Sequence, residues 1–240
     1  MTYSKLARAS VKESPQSSSR QGAKVNLFIV HHADNTRAQS VVDMMTIPTK
    51  EVSSNYVVDE TGPTGVVREE MRAFTSGSSS DGGKGAACDR RAITAEVINS
   101  TRAPDWRFDP RTIEHLARLI ADVATRYGFP IDRDHVVGHR ELYTRWGASY
   151  PTMCPGPSMD LDALVAKARA YQQNDTTQEE DDMVLYTDQD KKDLQAAHAD
   201  SKAARETAER VEKRATNTEN KVDAIMRHLG IPVPTDAPQK

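Results

Sequence analysis

"NLFIVHHADN", residues 26–35, carries a run of β-branched and aromatic residues straight into two adjacent histidines. The apolar run reads as a buried strand. Side chains alternate along a strand, so His31 and His32 point to opposite faces. The doublet is therefore not a two-ligand clamp, because at most one of its members shares the chemistry of any single pocket. On this stretch alone two readings stay open. One histidine is a metal ligand or catalytic base, or both are ordinary strand-end residues.

Outward from that strand, the pattern mixes strands and helices. "SNYVVDETGPTGVVREE" reads as two short strands around a Gly/Pro turn. "TSGSSSDGGKGAACD", residues 75–89, reads as a Gly/Ser-rich loop, and "AITAEVIN", residues 92–99, as the next strand. "DPRTIEHLARLIADVATRYG" is the clearest helix, with Asp109 as N-cap, Pro110 in the first turn and Gly128 as the stop. Ile113, Leu116, Ala117, Ile120 and Ala124 form its apolar stripe, and His115 falls off that stripe towards solvent. "HVVGHR", residues 135–140, is a short strand, and "DLDALVAKARAYQQ" a closing helix capped by Asp160. The fold expected is α/β, a central mixed β-sheet with helices packed on it, followed by a C-terminal long helix or coiled coil.

The 240 residues divide into five zones. Residues 1–24 read as a polar, mobile extension and 25–173 as a domain of mixed strand and helix. Residues 174–187 form an acidic linker, 188–230 a helical or coiled-coil tail, and 231–240 a Pro-rich end. The tail carries a seam at 3-4 spacing through Leu194, Ala197, Ser201, Ala204, Ala208, Val211, Ala215, Thr218, Val222, Ile225 and Leu229. Pairs such as Glu206 with Arg210 flank it. Self-association and a single helix are equally open, so a homo-oligomer through this helix is one expectation. A formal net charge of -3 gives no sign of a nucleic-acid surface. No apolar run approaches the ~20 residues that span a bilayer, so stable membrane insertion is not expected. The opening 24 residues lack the apolar core of a secretory signal. Two cysteines do not make a disulfide framework, and a reducing cytoplasm is the default.

A second informative stretch is "VVGHRELYTRWGASYPTMCPGPSMDLDAL". His139 ends a short apolar strand, and Cys154 follows in a Pro/Gly turn that can hold a thiolate in place. Thiolate and imidazole are both good zinc ligands. With one of the strand-end histidines they make a His, His, Cys set, and three protein ligands leave a fourth tetrahedral position for water. Cys88, in the Gly-rich segment, is the competing thiol.

"FIVHHAD", "SNYVVDETG", "RRAITAEVIN", "VVGHRE" and "TMCPGPSMDLD" resemble, in order and spacing, the type 2 zinc-dependent N-acetylmuramoyl-L-alanine amidases, a family that includes phage endolysins and peptidoglycan-recognition proteins. The resemblance covers residues of about 25 to 170. It implies Zn2+ as cofactor, peptidoglycan as substrate, and His31, His139 and Cys154 as metal ligands, with His32 left to packing or hydrogen bonding on the other face. It places Glu96, in a strand similar to the family's "SIGIEL", on a carboxylate that some members use as general base, and Thr152 on a hydrogen-bond donor. Departures accompany it. Ser54 stands where some members have a catalytic tyrosine, with Tyr56 two residues on, and Asn55 stands where a histidine is frequent. Phe74 and Thr75 replace the Trp and His of "RAWHAG".

The implied reaction is hydrolysis of the amide between N-acetylmuramic acid and L-alanine. A phage endolysin is the expected setting, held in the host cytoplasm before lysis and acting on the wall after the membrane is permeabilised. A non-catalytic peptidoglycan-binding module and a cytoplasmic muropeptide-recycling amidase are the alternatives.

Overall fold

The computed structural model describes residues 3–8, 13–76, 83–148 and 150–185, together with Met226 and His228. The chain divides into two units, Met1–Thr177 and Gln178–Lys240.

The first unit is built on a five-stranded sheet. Its strands are β2 (Leu27–His32), β3 (Tyr56–Asp59), β4 (Gly62–Gly65), β6 (Ala92–Val97) and β7 (Val136–Gly138), in the order β4-β3-β6-β2-β7. β2 pairs in parallel with both β6 and β7, and β3 in parallel with β6. Only the β3–β4 hairpin is antiparallel, so the sheet is mixed. Leu27 to Val30 are fully buried on both faces, as expected of a central parallel strand.

The two faces are covered by different helices. α3 (Pro110–Tyr127) and α5 (Leu161–Leu185) close one of them over Phe28, Val30, Tyr56, Ile93, Ala95 and Val136. α3 has the caps its sequence announces: Asp109 Oδ1 accepts from Arg111 N at 2.8 Å, and Gly128 ends the helix at φ +72°. Its buried face is wider than the expected stripe, adding Leu119 and Val123, while Ile113 and His115 are only partly covered. Each fully buried Leu, Ile or Val is worth about 1.5–3 kcal/mol. On the other face lie α1 (Ala38–Met45), α2 (Lys84–Arg90) and α4 (His139–Trp146), over Leu27, Ile29, Val57, Ala92 and Val137.

Four expectations are corrected. The lead at 1–24 is not a loose extension where it is described. β1 (Ser17–Ser19) pairs with β5 (Met71–Ala73), and Ser4 N donates to Tyr56 Oη at 2.7 Å. Arg20 is buried and donates to the carbonyls of Glu69, Asp89, Arg90 and Ala92. A polar segment can pack in this way because its polar atoms find backbone partners. Next, the Gly/Ser-rich stretch ends in helix α2, which buries Cys88. Residues 77–82 of that stretch lie outside the described residues.

His139 does not simply end a strand either, since it opens α4 after Gly138. Finally, the backbone of α5 continues through the acidic segment to Leu185, in a stretch without Gly or Pro to stop it. The heptad-patterned tail and the Pro-rich end lie outside the described residues, apart from Met226 and His228, both helical. No helix among the described residues is long and apolar enough to cross a membrane.

Candidate metal centre

The carboxyl ends of the parallel strands converge, which is where open α/β sheets place their sites. β2 ends in His31, its neighbour β6 carries Glu96, and β7 runs through Gly138 into His139. His31 and Glu96 are direct partners across the β2–β6 ladder and share a face. His32 is on the other face, edge-on to Trp106 at a ring distance of 5.3 Å. The alternation read from the sequence therefore divides the doublet between two environments.

Cys154 arrives from a loop that several contacts lock in place. Arg140 N donates to the Cys154 carbonyl at 2.7 Å, and the Arg140 guanidinium donates to the carbonyls of Gly156 and Met159. Cys154 N donates to Thr152 Oγ1 at 3.2 Å, and His32 N donates to Cys154 Sγ at 3.3 Å. The approach of the loop to β7 depends on Gly138. A Cβ there would lie 2.9 Å from Pro155 Cδ and 3.0 Å from Leu161 Cδ1.

His31, His139 and Cys154 are all buried, and each offers one ligand atom within 4.8 Å of the other two. The Cys154 Sγ to His31 Nδ1 distance is 3.8 Å, and the two imidazole rings are 4.5 Å apart. Burial, reinforced by His139 and His32, holds the His31 ring well below the ordinary histidine range. Burial also lowers His139 to about 4. Both rings are therefore neutral near pH 7, the form that binds metals. Burial first, and Glu96 second, push the Cys154 thiol up. Glu96 itself is pushed up to about 7 by burial. Its Oε2 is shielded from solvent without a hydrogen-bond partner, although the residue as a whole is only partly buried. Two neutral imidazoles and one thiol form a three-residue donor set that fits a tetrahedral divalent ion, zinc foremost, with one position left over; the unpartnered carboxylate oxygen of Glu96 is outside that set.

The sequence left open what holds the second nitrogen of each histidine. For His31 the structure supplies a partner, Ser76 Oγ, 3.4 Å from Nε2. Ser76 is fixed in turn by Asp89 of α2, whose Oδ2 accepts from Thr75 N at 3.2 Å and Ser76 N at 3.0 Å. Asp89 is buried, and that burial raises its carboxyl to about 6. Sequence reading missed Ser76, Asp89 and Arg140 as supports of the site. The arginine of "GHRE" was in plain view, but its partners are carbonyls far along the chain, which no local pattern announces.

The remaining candidates have clear places. The Ser54 hydroxyl donates to the Tyr56 carbonyl at 2.7 Å and also lies 2.9 Å from the Thr94 carbonyl. Asn55 ties three carbonyls, those of Val67, Arg68 and Met71, and accepts from Thr94 N. Thr75 donates to the Ser53 carbonyl at 2.8 Å. Tyr56 points away from the metal candidates, its hydroxyl donating to Glu69 Oε1 at 2.5 Å. These positions therefore brace the sheet. Cys88 packs with Leu27, Ile29 and Val137 and is not in the ligand cluster, so the competing thiol drops out.

Comparison with known proteins finds the same fold. The chain is similar in fold to a point mutant of PlyL (19% identity, covering 68% of this chain and 98% of that one, TM-score 0.51). It is similar to an AmpD derivative (20%, 70% and 96%, TM-score 0.51). A third likeness is to the hydrolase AmiA of Staphylococcus aureus in complex with its ligand (15%, 72% and 87%, TM-score 0.52). No curated protein sequence matches this chain. Residues 21–157, more than half of the chain, match a family described as N-acetylmuramoyl-L-alanine amidase, and they contain all three clustered ligands with Glu96. The chain belongs to the type 2 N-acetylmuramoyl-L-alanine amidases and is an enzyme of that class.

Proposed function

We propose that the protein is a zinc-dependent amidase that cleaves the bond between N-acetylmuramic acid and L-alanine in peptidoglycan, and that it serves as a phage endolysin. The observation that carries the zinc reading is the buried His31, His139 and Cys154 cluster beside the unpartnered carboxylate oxygen of Glu96. His31, His139 and Cys154 would hold the ion. When bound, zinc polarises a carbonyl and makes water a competent nucleophile near neutral pH.

The chain's own groups do the rest. Glu96, on the same face as His31, accepts a proton from the attacking water and returns it to the leaving L-alanine nitrogen. Thr152 Oγ1 already accepts from Cys154 N, which leaves its hydroxyl proton to donate to the oxygen that gains charge at the scissile carbonyl. Arg140 holds the loop that presents both Thr152 and Cys154. Ser76 orients the His31 ring through the nitrogen opposite Cys154.

The endolysin setting draws on the polar segment and heptad-patterned tail beyond the catalytic domain. An enzyme acting on a polymeric wall gains from a second contact or from multivalency, whereas one acting on small soluble muropeptides does not. In this reading the protein gathers in the host cytoplasm and meets the wall after the membrane is permeabilised. The decisive experiment measures free L-alanine amino groups released from purified walls by metal-stripped and zinc-restored enzyme. Release that persists at full rate after complete zinc removal rejects the proposal.

A further inference from the structure

His32 takes no part in the proposed hydrolysis. It is partly buried on the face opposite His31, outside the cluster of metal candidates. Two of its atoms nevertheless stand out. Its backbone N–H donates to Cys154 Sγ at 3.3 Å, and its ring Nδ1 is shielded from solvent.

Asn99 is placed to serve that nitrogen. Val97 is the partner of His32 across the β2–β6 ladder, and Asn99, two residues on, stays on the same face. It is 1% exposed, and its Nδ2 donates to the Trp106 carbonyl at 3.1 Å, which fixes the way its amide points. The amide is a hydrogen-bonding neighbour of the His32 ring. Neither Asn99 Oδ1 nor His32 Nδ1 has another partner among the described residues, and leaving both unpaired would be costly.

The rest of the ring is enclosed by two loops. Trp106 meets it edge-on, and a Cβ on Gly156 would lie 3.1 Å from Trp106 Cβ and 3.6 Å from His32 Nδ1. Trp106 adopts the left-handed region at φ +44°, which a bulky residue keeps only where its surroundings enforce it. Asp34 Oδ1 does so by accepting from Trp106 Nε1 at 2.8 Å. Ser158 Oγ donates to the Asp105 carbonyl at 2.5 Å, so the loop after β6 and the loop carrying Cys154 close on His32 together.

We propose that His32 is a positioning residue for Cys154: its Nδ1–H donates to Asn99 Oδ1, its ring packs against Trp106 and Gly156, and its backbone N–H is thereby held on the sulfur. The inference rests on the metal reading of His31, His139 and Cys154 and deepens it. A hydrogen bond to the sulfur stabilises the thiolate, the form that binds metals, and draws charge from it.

The test uses the full-length enzyme with cobalt(II) in place of zinc, because a cobalt–thiolate bond gives a near-ultraviolet charge-transfer band that reports on the sulfur. His32→Phe keeps a ring against Trp106 but has no donor, and Asn99→Ala removes the acceptor. Losing the hold on the N–H raises the energy of the sulfur electrons, so both variants should move the band to longer wavelength. Both should also weaken zinc binding about tenfold in chelator competition. His32→Asn, whose amide can donate from near the Nδ1 position, should keep the wild-type band and affinity. Asn99 is enclosed, and should Asn99→Ala fail to fold, the contrast between His32→Phe and His32→Asn decides alone. A wild-type band in His32→Phe, or a shift in His32→Asn as large as that in His32→Phe, overturns the positioning role and leaves the metal centre intact. A wild-type enzyme that binds cobalt with no thiolate band shows that Cys154 is not a ligand, and the metal reading then falls together with this one.

Discussion

Glu69 and Glu96 are two carboxylates shielded by the same domain, on opposite sides of one sheet, and they are treated in opposite ways. Glu69 is fully buried, and its oxygens are met on every side. Arg126 donates to both of them, at 2.6 and 2.7 Å, and the hydroxyls of Tyr56 and Tyr127 donate at 2.5 and 3.0 Å. Glu96 has an enclosed Oε2 with no such partner, beside the thiol of Cys154. A buried charge that is fully hydrogen-bonded anchors structure, whereas a carboxylate kept without partners retains a free-energy cost and marks a candidate for chemistry. The first carboxylate fastens α3 to the chain between β4 and β5; the second is the group proposed above to carry the proton.

The largest effect is expected where the comparison is sharpest, at the ligand cluster. Cys154→Ala and His31→Ala should each lose stoichiometric zinc and lower wall hydrolysis by at least about 10³-fold, consistent with loss of the ion's share of catalysis. Metal analysis and amine release on the same preparations check this, and near-normal turnover by either variant would remove the cluster from the mechanism.

Next come the two carboxylates themselves. Glu96→Gln should reduce kcat by about 10²–10⁴ while keeping zinc and the fold, because the change removes proton transfer alone. Glu69→Ala should do the reverse. Specific activity per folded molecule should stay near wild type, and stability should fall by about 3 kcal/mol, since Arg126 loses its buried partner. Paired denaturation and kinetic measurements decide, and a Glu96 variant that unfolds as readily as the Glu69 one would dissolve the contrast.

Asp89 provides a third, smaller case with a pH signature. Its folded value of about 6 lies above the ordinary aspartate value of 3.8. The folded state therefore holds the proton more tightly than the unfolded one. Its contribution is most favourable below about pH 4 and is lost as the pH rises through 6, an effect on the order of 2–3 kcal/mol. Subtracting the Asp89→Asn stability profile from that of wild type isolates this group from the opposing histidines. The difference should decline between pH 4 and 6 and then level off; a flat difference would show that Asp89 titrates normally.

The smallest expected effect is at Ser76. Ser76→Ala removes the hydroxyl facing His31 Nε2 and should weaken zinc binding about tenfold, with the fold unchanged. Chelator competition measures it, and an unaltered zinc affinity would return Ser76 to a packing role.

Much of the frame is legible in residue order. The strand at 27–32, the hairpin around Glu60 and Thr61, and α3 with its Asp109 cap and Gly128 stop follow from local rules of alternation, turns and capping. Helix α4 was hidden because a strand and a helix abut at Gly138 and His139 without a loop between them. The lead was misjudged for a related reason. Its polarity resembles that of a free segment, and only the carbonyls around Arg20 and the ring of Tyr56 reveal that it is packed.

The sequence by itself determined that His31 and His32 face apart, since that is a consequence of strand geometry. It also held, through the pieces it shares with the amidases, the identities of His139, Cys154 and Glu96. Tertiary structure alone decided that the three candidate ligand atoms meet within 4.8 Å, that Glu96 is left with an unpartnered oxygen, and that Arg140, Ser76 and Asp89 hold the arrangement in place. Alternation, turns and caps operate between near neighbours in the chain. Burial and convergence arise from segments more than a hundred residues apart, such as His31 and Cys154, brought together by the packing of the sheet and its loops.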